Sequence, residues 1–139
     1  MEYKECRFRK AIVAAQLQSD FEQFTSGSKT IIGQRGVNIS NSLKARISLA
    51  RALYQDADIY LLDDLLSSLE PMHAEAIFNK AIKGTLANKC VVLVTHQLEF
   101  IRQVDKIMVL RDGKQAIFGN FEHIVKQGFN IDEILRQFR

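Results

Sequence analysis

The sequence predicts an α/β protein: parallel sheet strands flanked by helices, with a β-hairpin towards the C-terminus. Three observations predict it. Two short apolar runs, Ile59-Tyr60-Leu61-Leu62 and Cys90-Val91-Val92-Leu93-Val94, read as strands covered on both faces. A stretch of helical spacing separates them, which is the connection a parallel pair requires. Asp112-Gly113 then lies between two further strand-like runs, a strong hairpin signal.

Phe8 to Leu17 carry Phe8, Ile12 and Ala15 at helical spacing with bases on the other side, an amphipathic helix. Asp20 to Phe24 continue as a short helical piece. Thr25-Ser26-Gly27-Ser28, followed by Gly33 and Gly36, make a loop with two bends. Ser40 or Asn41 caps the next helix, because either side chain can accept from free backbone N–H groups. From Ser42 to Tyr54 the apolar stripe is Leu43, Ile47, Ala50 and Leu53, with Lys44, Arg46 and Arg51 expected on wetter faces.

The strand Asp58–Leu62 follows, and after the acids Asp63-Asp64 comes a loop, Leu65–Glu70. Glu70 is a candidate cap and Pro71 takes the first helical position, where its missing N–H is harmless. The helix Met72–Ile82 is expected to end at Gly84. Strand Cys90–Val94 runs into Thr95-His96, and Leu98–Arg102 forms a short helix. Val104–Leu110 and Lys114–Phe118 are the two arms of the hairpin, broken by Gly119. Asn120 caps Phe121–Lys126, Gly128 ends that helix, and Ile131–Phe138 is a terminal amphipathic helix.

At 139 residues the chain suffices for one domain or for part of a larger one. Apolar residues at 47% and charged residues at 25% favour a folded class over disorder. The net charge of +3, from 19 bases and 16 acids spread along the chain, gives no ground for a nucleic-acid partner. Cys6 and Cys90 share no metal or redox spacing and read as reduced thiols of a cytosolic protein. No apolar run approaches the roughly 18 residues of a membrane helix. Met1 to Lys10 are charged and lack the apolar segment of a signal peptide. The chain itself therefore reads as soluble, with any membrane link lying in a partner or in polypeptide outside this sequence.

Asp63 and Asp64 emerge at the C-terminal edge of the first strand, where open α/β sheets place ligands. Adjacent carboxylates are costly unless a cation or proton accompanies them. Taken alone, this stretch leaves open the alternative of a strand ending in a solvated acidic turn. His96 ends the next strand; a lone histidine there is more often structural. If the two strands are neighbours, however, all three side chains face one edge, and the set suits phosphate hydrolysis. One carboxylate would hold Mg²⁺ through water, the second would orient or polarise the attacking water, and a donor would steady the γ-phosphate.

Ile59–Asp64 resembles the Walker B strand of ATP-binding cassette (ABC) transporters. Ser48-Leu49-Ala50-Arg51-Ala52 with Ala57-Asp58 is similar to the stretch joining their signature helix to that strand. Ser67-Ser68-Leu69-Glu70 resembles the D-loop and Val94-Thr95-His96 the H-loop. Asp105-Lys106-Ile107 with Asp112-Gly113-Lys114 and Gly119 resembles the closing hairpin, and Gly33–Ser40 the approach to the signature. The phrase Ala57–Asp64, with Asp64 as the second Walker B acid, resembles most closely the first nucleotide-binding domain of the multidrug-resistance-associated proteins, subfamily C. The resemblance runs in the correct order from about Tyr3 to Ile124.

The departures are as informative. Where the family has Leu-Ser-Gly-Gly-Gln, this chain has Ile39-Ser40-Asn41-Ser42-Leu43, which adds side chains where a phosphate would approach backbone. Glu70 stands for the family's Asp in the D-loop. Leu65 replaces its Pro, leaving the turn after Asp64 less rigid. No Gly, four residues, then Gly-Lys-Ser/Thr occurs anywhere; Gly113-Lys114 is followed by Gln115. The chain thus resembles a partial P-loop NTPase fold without the N-terminal half that carries Walker A. Residues 1–55 would be a remnant of the helical subdomain and 56–139 the C-terminal half of the ATPase core.

The resemblance implies ATP and Mg²⁺ as cofactors, with Asp63 holding Mg²⁺ through water and Asp64 and His96 as catalytic residues. It implies Ser40 as the surviving signature contact to phosphate, with Ser42, Ser67 and Glu70 also in the nucleotide-contacting set. The implied partners are a second nucleotide-binding domain and the transmembrane domains of a full transporter, at the cytoplasmic face of a membrane. The implied function is coupling ATP binding and hydrolysis to export of organic anions or drug conjugates, with the isolated chain inactive for want of a P-loop. The alternatives are a degenerate, non-hydrolytic remnant that binds another cassette, a DNA-binding ABC ATPase of chromosome or repair type, and a metal-dependent hydrolase using Asp63, Asp64 and His96 without ATP.

Overall fold

Helix α1 spans Glu5–Ala14 rather than Phe8–Leu17. Its first turn is supported by Arg9 Nε donating to Glu5 Oε1 at 2.8 Å, a favourable i, i+4 pair. The helix stops because Gln16 adopts a left-handed conformation, φ 56°. The computed structural model describes residues 3–33 and 39–128. The stretch from Gln34 to Asn38 and the expected terminal helix Ile131–Phe138 lie outside them. The chain gathers into two compact units, Met1–Thr95 and His96–Arg139.

In the first unit α2 covers Gln18–Gln23 and a single 3₁₀ turn covers Gly27–Lys29. Helix α3, Asn41–Gln55, packs on α1. Of the two capping candidates, Ser40 is the one used, its Oγ accepting from Leu43 N at 3.1 Å. One expectation for this helix fails. Arg46 is buried, 4% exposed, not on a wet face. Leu43, Arg46, Ala50 and Leu53 recur at the three- and four-residue spacing of one stripe, so the guanidinium enters the interior with the leucines. Asp20 meets it there.

Strand β1, Ile59–Asp63, pairs in parallel with β2, Cys90–Val94, with Ile59 opposite Cys90 and Asp63 opposite Val94. Among the described residues this sheet has two strands, and its faces differ. Tyr60 and Leu62 are buried, whereas Ile59 and Leu61 are 62% and 76% exposed and Val92 and Val94 lie on that open face. The expectation of strands covered on both faces is therefore corrected. The apolar run is suited to double burial, but among the described residues one of its faces is left open.

Between the strands, a 3₁₀ turn, Leu65–Ser68, leads through Glu70 into α4, Pro71–Ile77. The helix does not end at Gly84; it continues as a π-helix, Phe78–Thr85, whose wider turns close through bonds such as Leu86 N to Ala81 O at 2.9 Å. Leu66, Ile77 and Phe78 are completely buried.

The second unit begins with a 3₁₀ helix, Leu98–Gln103. Strands β3, Ile107–Arg111, and β4, Lys114–Gly119, form an antiparallel hairpin with an irregularity between Val109 and Leu110. β3 starts three residues later than Val104. The Asp112-Gly113 turn is as predicted, both residues having positive φ. Asn120 caps α5, Phe121–Lys126, its Oδ1 accepting from His123 N at 2.8 Å. Ile107, Ile117 and Ile124 form the core here, with Ile101, Val104, Val109 and Phe121 packed around them.

Candidate functional site

The C-terminal end of β1 brings four of the sequence-predicted residues onto one exposed turn: Asp63, Asp64, Ser67 and Glu70. Parallel pairing continues one residue past β1, with Asp64 N donating to Val94 O at 3.0 Å. The backbone then kinks, Asp64 lying in the left-handed region at φ 46°, ψ 30°. Ser67 Oγ donates to Asp64 O at 2.8 Å, and Leu69 N donates to Leu66 O at 3.2 Å. With Leu66 fully buried, the turn is anchored at its centre. Helix α3 packs against this turn.

Glu70 occupies the N-cap position of α4, but its side chain makes no capping bond. Its Oε2 lies 3.6 Å from His73 Nδ1 instead. Glu70 thus remains 69% exposed at the tip of the turn. The bond from Ser67 bears on its expected role. A hydroxyl has one hydrogen, and here Asp64 O receives it, so in this conformation Ser67 presents only lone pairs outward and offers no donor to a phosphate.

Ser40 and Ser42, at the start of α3, have opposite fates. Ser40 is exposed, and because it accepts in its capping bond its own O–H hydrogen remains available to an acceptor. Ser42 is buried, with an Oγ that has no hydrogen-bond partner among the described residues, so it does not stand at the exposed edge where a ligand would approach. His96 is the second residue after β2 and opens the second unit. The structure therefore unites Asp63, Asp64, Ser67 and Glu70 on one turn, with His96 in the other unit.

Among the described residues no three His, Cys, Asp or Glu side chains converge as a metal-holding group. Mg²⁺ commonly takes one or two carboxylates, with water and substrate phosphates filling its remaining positions. The exposed Asp63 fits that description as one ligand. Two relationships escaped sequence reasoning: the Ser67 bond to Asp64 and the buried Arg46–Asp20 pair. The first had a signal, since a serine three residues after its acceptor is a common side-chain-to-backbone motif. The second had one in the position of Arg46 on the leucine stripe.

No family model matches the chain. Among curated proteins it is 44% identical over 125 residues to ABC transporter C family member 5 of Arabidopsis thaliana, covering 90% of this chain and 8% of that protein. It is 39% identical over 135 residues to human ATP-binding cassette sub-family C member 4, covering 97% and 10%. It is also 41% identical over 129 residues to an Arabidopsis thaliana protein named "Probable non-intrinsic ABC protein 5", covering 93% and 40%. The chain thus spans from about a twelfth to two-fifths of the length of these relatives. No helix among the described residues is long and apolar enough to cross a membrane. The chain is a homologue of the C-subfamily ATP-binding cassette transporters, matching a segment of those proteins.

Proposed function

We propose that the chain is a segment of the nucleotide-binding domain of an ABC exporter that couples ATP binding and hydrolysis to transport of organic anions or drug conjugates. Residues 1–55 supply part of the helical subdomain with an altered signature, and 56–139 supply the C-terminal half of the ATPase core. The observation that carries the reading is the acidic kink at the end of β1, in a chain about two-fifths identical to C-subfamily transporters across nine-tenths of its length.

In this reading Asp63 holds Mg²⁺ through water, and Asp64 orients and polarises the water that attacks the γ-phosphate. An Asp in that position reaches less far than a Glu, so hydrolysis is weak. His96 donates to the γ-phosphate. Ser40 meets the phosphate of ATP held by a second nucleotide-binding domain, and Glu70 lines the same junction. ATP and Mg²⁺ bind productively only with the Walker A loop, which this sequence lacks. Transmembrane domains of the same transporter place the domain at the cytoplasmic face of a membrane.

The native protein's mass tests this reading. A blot with an antibody to the peptide 131–139 should give a band far above the 15.9 kDa of this chain. A band near 15.9 kDa would overturn it in favour of a non-hydrolytic remnant that binds another cassette.

A further inference from the structure

Resting on the reading that Asp64 faces the attacking water, we infer that Ser67 is the positioning residue of that carboxylate and not a ligand of the nucleotide. The peptide units on both sides of the Asp64 α-carbon are held. On the N-terminal side, Asp64 N donates to Val94 O at 3.0 Å, which fixes that unit to β2. On the C-terminal side, Asp64 O accepts from Ser67 Oγ at 2.8 Å, which fixes the other unit to the 3₁₀ turn. Fully buried Leu66 anchors that turn in turn.

With both peptide planes held, φ and ψ of Asp64 are determined, and with them the direction in which its Cβ leaves the backbone. The values are 46° and 30°, a region that L side chains enter only at an energetic cost. Something must hold the residue there. A proline after Asp64 would stiffen the turn covalently; Leu65 leaves φ free at that position, and the hydroxyl three residues on supplies the restraint. An aspartate has a single methylene between backbone and carboxylate, so the direction of its Cα–Cβ bond sets the origin from which χ1 and χ2 place the oxygens. Losing the Ser67 hydrogen bond re-aims them.

The test is the backbone geometry of Asp64, read by NMR from the Cα shift and HN–Hα coupling of the whole chain labelled at aspartate. In the native chain Asp64 should show the left-handed signature. Ser67→Ala should abolish it, Ser67→Thr should keep it because the hydroxyl remains, and Ser68→Ala should leave it unchanged. A Ser67→Ala chain whose Asp64 keeps the left-handed signature overturns the inference. If Ser67→Ala unfolds the chain, adding Asp64→Gly, which accepts that backbone region freely, should restore the fold; failure to do so also overturns it. This outcome is separable from the exporter reading. A native mass near that of the chain sinks the exporter and leaves the Ser67–Asp64 bond intact, whereas an unchanged Asp64 sinks the positioning role and leaves the exporter reading standing.

Discussion

Arg46 and Asp20 form a paired, two-pronged salt bridge inside the first unit. Nη1 and Nη2 of the arginine donate to the two carboxylate oxygens, the Nη2–Oδ1 contact being 2.9 Å, and Nη1 also donates to the carbonyl of Gln16. The side chains are only 5% and 20% exposed. The pair fastens α3, whose N-terminus carries Ser40, to α2, and the Gln16 bond fastens it to the bend between α1 and α2. Removing Arg46 leaves the partly buried Asp20 carboxylate unpaired. Arg46→Met should cost about 3 kcal/mol, the low end for breaking a buried pair, and Arg46→Met with Asp20→Leu should recover much of that loss. Urea unfolding checks it; equal midpoints for the native and Arg46→Met chains would contradict the assignment.

Much of this architecture was legible because local rules agreed with it. Asn120, Ser40, Pro71 and Asp112-Gly113 each stand where cap and turn chemistry places them. What was not legible depended on partners distant in sequence. Arg46 reads as a surface base until Asp20, 26 residues earlier, is known to meet it. The runs at Ile59 and Cys90 announce strands buried on both sides, and sequence cannot say that one side is open among the described residues. At the candidate site the residue types were legible, but the buried Ser42 and the direction of the Ser67 hydroxyl required coordinates.

The open sheet face makes a prediction about solubility. Ile59, Leu61, Val92 and Val94 place four aliphatic side chains on one side of a two-stranded sheet, a template for association. Leu61→Lys should raise the concentration at which the isolated chain aggregates and lower its binding of an apolar dye. Equal dye fluorescence in the two chains would show that this face is not the exposed apolar surface.

Gly84 sits within the π-helix, where a Cβ would lie 3.2 Å from the carbonyl oxygen of Asn79. Helix propensity alone favours Gly84→Ala by about 1 kcal/mol. That carbonyl belongs to a hydrogen-bonded turn and yields poorly, so the substitution should lower the melting temperature. A higher melting temperature would mean that the π segment relaxes to an ordinary α-helix.

Two surface groups set a pH dependence. The Tyr3 hydroxyl and then Arg9 hold Glu5 below its ordinary value near 4.5, whereas Asp56, helped by Asp58, holds Lys89 above its ordinary 10.5. The Glu5 contribution is present above pH 4.5 and is lost as pH falls through its lower folded value. The Lys89 contribution is full below pH 10.5 and is lost as pH rises through its higher folded value. Lys89→Met should therefore reduce the alkaline loss of stability, and Glu5→Gln the acid loss. Parallel stability–pH curves for native and variant chains would contradict both.

In the proposed function the turn at Asp63-Asp64 is one side of a phosphate site that hydrolyses nothing without the polypeptide that carries Walker A. Phosphate release by the isolated chain in Mg-ATP measures this most directly. The expected result is release no faster than from the Asp63→Ala chain, at the level of ATP alone. Steady release that disappears in Asp63→Ala would contradict the account, because the 139 residues would then contain a complete site.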